Sequence, residues 1–130
     1  MGGLPFYEQM EWREEIQNMI MSATNKNIIF VHPPLFYQYK DDDVEAREWE
    51  ISQLQDSDIV IVDLSTIADS IGTHIELGII EAINRTSNKH IYTVGVGKPN
   101  IQHPWISLGI LHQEDTLEDA ADYISQYLIL

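Results

Sequence analysis

Helical and strand patterns alternate through this 130-residue chain, which predicts a single α/β domain. A parallel sheet with helices on both faces is the expected architecture. Three observations carry that expectation. Ile59-Val60-Ile61-Val62-Asp63-Leu64 is a continuous apolar run, as expected of a parallel strand covered on both faces. Segments of helical period lie on either side of it. Hydrophobic residues make up 44% of the chain against 22% charged, enough for a real core despite 21 Asp+Glu, 7 Lys+Arg and a net charge of −14.

From residue 7 to 23, Trp12, Ile16, Met19, Ile20 and Ala23 recur on one helical face. Ile28-Ile29-Phe30-Val31 reads as a buried strand, stopped by Pro33-Pro34 and opening into a loop. A second helix is expected over 44–55 with Val44, Ile51 and Leu54 inward. The strong strand at 59–64 follows, then a loop at 65–73. A helix over 74–85 comes next, apolar almost all round and so expected to be largely buried. Residues 90–96 form another strand ending at Gly97-Lys98-Pro99, and a short apolar piece spans 108–111. The last helix starts near Asp115 or Thr116, with Leu117, Ala120, Ala121, Ile124 and Leu128 at helical spacing and acids in its first turn. No linker, repeat or low-complexity stretch divides the chain.

Composition excludes several function classes. With no cysteine there is no disulfide framework, zinc–thiolate site or thiol nucleophile. The acid excess argues against tracking a nucleic-acid polymer, which needs Lys and Arg on the phosphates. No apolar run approaches the roughly 18 residues of a membrane helix, and the N-terminus has no basic-then-apolar signal pattern. A cytoplasmic protein without a membrane partner is the expectation. No GxxxxGK[ST] loop occurs. Histidines His32, His74 and His103 are scattered without metal-ligand spacing, so no metal site and no cofactor is expected.

In open parallel sheets ligands bind beyond the C-terminal strand ends. The most informative such loop is Ser70-Ile71-Gly72-Thr73-His74-Ile75-Glu76-Leu77-Gly78, a Gly-Thr turn before a helix with Glu76 expected in the first turn. Backbone N–H groups there would hold an anion or keep a carboxylate ionised. An ionised, positioned carboxylate is what covalent glycosyl transfer needs as nucleophile. On local pattern alone, Glu76 also fits a first-turn acid that merely stabilises the helix dipole, and Gly72 a plain turn residue. Trp105 and Phe36 are aromatic candidates for stacking on a base, or for the core or a subunit contact.

The stretch Asp56-Ser57-Asp58 through Leu64, followed by Ser70 through Gly78, resembles the signature of the nucleoside 2-deoxyribosyltransferase-like family. That family joins an "SD-strand" to a "GT-x-x-E-L-G" helix start. Phe30-Val31-His32-Pro33-Pro34-Leu35-Phe36-Tyr37 is similar to its second strand and "NP" loop, with His32 where Asn is usual. Glu48-Trp49-Glu50 through Asp58 is similar to its second helix, and His103-Pro104-Trp105 with the final helix resembles a phage-type branch. The likeness runs over nearly the whole chain.

The resemblance implies a flavodoxin-like three-layer αβα fold and N-glycosidic chemistry on (deoxy)nucleosides or their 5′-monophosphates. Glu76 falls on the family nucleophile, which attacks C1′ and displaces the base. Another base or water then resolves the ester. Glu50 stands where an Asp near the base is common, and is also readable as one more solvated acid. Ser70 matches a phosphate-contacting Ser of the 5′-monophosphate N-hydrolases, where the transferases carry an Asp for sugar hydroxyls; adjacent Asp69 is the alternative for that role. A hydroxyl suits a phosphate, which an Asp would repel. Gly72, Thr73, His32 and Pro33 complete the implied substrate contacts. The implied partners are a small-molecule nucleoside or nucleotide and further copies of the chain, in a homo-oligomer.

Residues 1–9 resemble the family's first loop and the start of its first helix, so the fold is expected to lack the family's first strand. The sequence would then start late, or the strand at 28–31 would close against that at 59–64, or a neighbouring chain would fill the gap. This leaves a rival from another class: a non-catalytic nucleotide-binding or assembly module that keeps the fold without turnover.

Overall fold

A computed structural model of the chain describes residues 6–33 and 43–129. Among the described residues, five helices and three strands follow in the order α1 (Phe6–Ala23), α2 (Asp43–Asp56), β1 (Ile59–Asp63), α3 (Ile71–Thr86), β2 (Tyr92–Val96), α4 (Pro104–Gly109), β3 (His112–Glu114) and α5 (Leu117–Tyr123). A 3-10 turn, Ile67–Asp69, precedes α3, and a π-helical turn, Ile124–Leu128, prolongs α5.

The sheet is parallel, in the order β1-β2-β3, with Ile59 opposite Tyr92 and Val94 opposite His112. Strand pleating sends alternate side chains to opposite faces. On one face Ile59 and Ile61 of β1 join Val94 and Val96 of β2 against Ile16 and Ile20 of α1 and Ala120, Ala121 and Ile124 of α5. On the other, Val60 and Val62 meet Leu77 and Ile80 of α3, Leu54 of α2 and Ile106 of α4. Helices therefore cover both faces, as the alternation of elements predicts.

Local chemistry fixes the ends. Thr116 caps α5, its side chain accepting from Asp119 N at 3.1 Å, and Glu118 and Asp119 occupy the first turn as expected. Asn84 bridges α3 to β2: its side-chain amide donates to Ile91 O at 3.0 Å and its Oδ1 accepts from Ile91 N at 2.7 Å. Gly97 turns the chain out of β2 with φ +86°, a conformation glycine adopts without a Cβ clash, and its N–H donates to Glu114 O at 2.8 Å.

Several expectations need correction. Residues 28–31 form no strand and do not close against β1. Their burial still alternates: Ile28 and Phe30 are half-buried on the α1/α5 cluster, while Ile29 is 88% exposed and Val31 is also exposed. The strand period survives, but among the described residues the segment pairs with none of the three strands. The short apolar piece near 108–111 divides into the end of α4 and the approach to β3, neither of which the periodicity reveals because each is too short. In α2, Ala46 and Leu54 are buried but Val44 points outward. Helix α3 begins three residues before the expected start and buries only Leu77 and Ile80; Ile71 and Ile75 are exposed.

Candidate functional site

A narrow cleft, with about 50 Å³ of room for water-sized molecules, opens beside β1, toward its C-terminal end. Its floor is the strand itself, Val60 through Asp63. Gln9, Trp12 and Arg13 of α1 close one side; Glu50 of α2, Pro33, Thr66, Ser70, Thr73 and Glu76 complete the lining. The sheet order explains the location. β1 is an edge strand among the described residues, so the space beside it holds side chains from α1, α2 and α3 rather than another strand.

Five residues singled out in the sequence, Glu76, Glu50, Ser70, Thr73 and Pro33, meet in this cleft. Three do not. Asp69 is exposed at the end of the 3-10 turn, Gly72 lies on the first turn of α3 outside the lining, and His32 is turned to α1, where its Nε2 is hydrogen-bonded to Gln17 Oε1. Burial, reinforced by the positive charge of Arg13, pushes the His32 imidazole below its ordinary pKa, which keeps it neutral.

Glu76 does not sit in the first turn of its helix. Because α3 starts at Ile71, Glu76 falls in the second turn, away from the terminal N–H groups, and the first turn has no acid. The expected ionisation by the helix terminus is therefore overturned. Burial in the cleft raises the Glu76 pKa first, and a side-chain hydrogen bond to Glu50 and the charge of Glu50 raise it further, to about 8. Arg13 opposes the shift. At neutral pH Glu76 therefore carries its proton and is hydrogen-bonded to Glu50.

Arg13 is the site residue that sequence reading missed. Its guanidinium lies 4.6 Å from the centroid of the Trp12 ring and donates to Gln9 O at 2.7 Å. Burial lowers its pKa while Glu76 and Asp63 support its charge. The signal was present: one cation among Glu8, Glu11, Glu14 and Glu15 on an acidic helix, next to a tryptophan. Asp63, at the end of β1, accepts from Ser65 N at 3.0 Å and Ser65 Oγ at 2.7 Å, which fixes the turn into the loop. Asn100 Oδ1 accepts from Ala68 N at 2.8 Å and ties that loop to the one after β2. The Ser70 hydroxyl is buried, 2.6 Å from that of Thr73, so two hydroxyls are held at one wall of the cleft.

The remaining candidates have structural roles or lie elsewhere. His74 Nε2 donates to Ile67 O at 2.7 Å, and His103 caps α4 by accepting from Trp105 N at 3.2 Å. Trp105 stands 63% exposed on α4, outside the cleft, where Trp12 is the aromatic wall. Phe36 lies outside the described residues. Among the described residues no three His, Asp or Glu side chains are grouped to hold a metal ion, and no helix is long and apolar enough to cross a membrane.

Compared with protein-family models, curated proteins and solved structures, the chain matches none.

Proposed function

We propose that the chain cleaves or transfers the N-glycosidic bond of (deoxy)nucleosides or their 5′-monophosphates on a flavodoxin-like frame. The observation that carries this reading is the Glu50–Glu76 carboxyl pair in one cleft with Arg13 and the Ser70 and Thr73 hydroxyls.

Two carboxyl groups held side by side offer both the nucleophile and the acid such a reaction needs. In the reactive form the proton is on Glu50 and Glu76 is the anion, a distribution that the nearby Arg13 charge favours. The Glu76 carboxylate attacks C1′ and the C1′–N bond breaks. Its electron pair leaves with the base, which takes the proton from Glu50. The glycosyl ester on Glu76 is then attacked at C1′ by water or by a second base, Glu50 accepts the nucleophile's proton, and Glu76 departs as carboxylate. Ser70, Thr73 and Arg13 suit the 5′-phosphate, and Trp12 offers a face for the base.

A second reading, a nucleotide-binding module without turnover, is favoured by one observation: Glu76 rests protonated at neutral pH, which suits hydrogen bonding better than attack. One experiment separates the two. Deoxynucleosides, ribonucleosides and their monophosphates are incubated with the protein, with and without an acceptor base, and free base is followed. The enzyme reading predicts release that Glu76→Ala abolishes and Glu50→Gln slows about 100-fold or more. Thermal stabilisation by a nucleotide with no base release on any substrate would establish the binding module instead.

A further inference from the structure

The cleft at Glu76 is too small to hold a whole nucleoside. It has about 50 Å³ of room for water-sized molecules, whereas small-molecule sites run to roughly 300–1,000 Å³. Further room adjoins it. A second cavity, with about 370 Å³ of such room, opens between α1 and the start of α5, at the C-terminal ends of β1 and β2. Ligands of open parallel sheets bind beyond those strand ends. The two spaces have Trp12 and Asp63 as common walls, so a ligand longer than either can extend from one into the other.

The cavity joins an apolar body to a rim of acceptors. Trp12, Val96 and Leu117 give it apolar surface. Its carboxyl groups are Glu8, Glu11 and Glu15 of α1, Asp63 at the end of β1 and Asp115 ahead of α5. Acids alone would make only a solvated face. Here the volume and the walls held in common with the cleft make them part of a site, and two of them are fixed in place. Gln113 Nε2 donates to Asp115 Oδ1 at 2.9 Å and to Gly97 O at 2.7 Å, and Asp63 accepts from Ser65. Groups fixed before a ligand arrives cost less to order on binding.

Charge decides which end of a nucleotide enters. Among the described residues no Lys or Arg lines the cavity, and its carboxylates would repel a phosphate. Arg13 and the Ser70 and Thr73 hydroxyls, which suit a phosphate, line only the cleft. The base is the part that fits: flat, apolar on its faces and edged with N–H groups. Carboxylate oxygens accept hydrogen bonds and do not donate them. An amino group offers them two N–H donors, while a carbonyl in its place sets oxygen against oxygen. Adenine and cytosine also take up a ring proton more readily than hypoxanthine and uracil, and a cationic base suits both the rim and the Trp12 ring.

We infer that the cavity between α1 and α5 is the base subsite, and that Glu11, Asp115 and the carboxylates beside them select amino-bearing bases over their carbonyl counterparts. The sugar then lies at the Trp12–Asp63 boundary, with Glu76 and Arg13 on its far side. This rests on the N-glycosidic reading and adds to it the class of base.

Titration calorimetry of the full chain with free bases tests the subsite with no glycosidic bond to break. Adenine against hypoxanthine and cytosine against uracil are pairs of equal size that exchange an amino group for a carbonyl. In each pair the amino base is expected to bind at least about tenfold more tightly. Combining Glu11→Gln with Asp115→Asn should bring each ratio below about threefold. Glu14→Gln, on an exposed position of α1 outside both spaces, should leave the ratios unchanged. Equal affinities within each pair, binding of none of the four bases, or a preference that survives the double substitution would overturn the subsite. Base release from nucleosides without these preferences would overturn it and leave the reaction standing. The preferences without base release from any nucleoside would uphold the cavity as a base site and overturn the reaction instead.

Discussion

β1 and β2 pair along their whole length, yet Thr93, Val94, Gly95 and Val96 of β2 are all buried, whereas in β1 only Val62 is. The difference does not follow composition, for Ile59-Val60-Ile61-Val62 is the more apolar run. It follows position. β2 has a strand on each side, while β1 has one neighbour and a cleft where a second would lie. The dry flank supplies stability. The flank left half-wet is where Arg13, Glu50 and Glu76 gather, side chains that a closed core would not tolerate without strict pairing. Chemistry and incomplete burial occupy the same edge.

The largest expected effect separates these flanks by packing. Ile20→Ala, under the β2 side and 1% exposed, should cost about 3 kcal/mol in chemical denaturation. Ile61→Ala, half-buried beside the cleft, should cost about 1 kcal/mol, because water already reaches its neighbourhood. Equal losses would mean the two flanks are alike.

The next effect is electrostatic and confined to the wet flank. The folded-state pKa of Glu76 is about 8 against an ordinary value of 4.5, so between those pH values the folded chain holds a proton that the unfolded chain has lost. Stability from this group is complete below about 4.5 and falls as pH rises toward 8. Glu76→Gln removes the ionisation and should flatten that slope, leaving the variant about 2 kcal/mol more stable than wild type above pH 8; the full linkage value is larger, but the cleft is open to water. Thermal melts of both proteins from pH 4 to 9 give the comparison, and identical slopes would contradict it.

A smaller change is expected from Arg13→Met, which keeps the stem against Trp12 but removes the charge. The Glu76 midpoint should rise further, since a cation opposing its shift is gone, and binding of a nucleoside monophosphate should weaken about tenfold more than that of the free nucleoside. Calorimetric titration of both ligands measures the ratio. The smallest effect belongs to the surface: Lys89 Nζ lies 2.9 Å from Asp58 Oδ1, but Asp58 is exposed, so Lys89→Ala should change stability by less than about 0.5 kcal/mol.

The α/β class, the two longer strands and four of the five helices were legible in the sequence because each depends on a run of residues long enough to show a period. What lay beyond reach depends on neighbours. Residues 28–31 have the composition of a strand, yet they join none of the three described strands, and pairing is not written in a local run. The start of α3 at Ile71 moved Glu76 from the first helical turn to the second, a three-residue shift that inverts its electrostatics. Glu50, Ser70 and Thr73 could be named from the family resemblance, but Arg13 enters the cleft only through the packing of α1 across the sheet. The apolar surround of α3, taken in the sequence as a sign of burial, instead divides into a buried face at Leu77 and Ile80 and an exposed one at Ile71 and Ile75.

Carbon-13 carboxyl NMR reads the raised pKa of Glu76 beside Glu50 directly. With glutamate labelled at Cδ, the Glu76 resonance, assigned by its loss in Glu76→Gln, should titrate with a midpoint near 8 and move down by more than one pH unit in Glu50→Gln. A Glu76 midpoint in the ordinary range near 4.5, unchanged by Glu50→Gln, would contradict the coupling of the two carboxyl groups and the mechanism built on it.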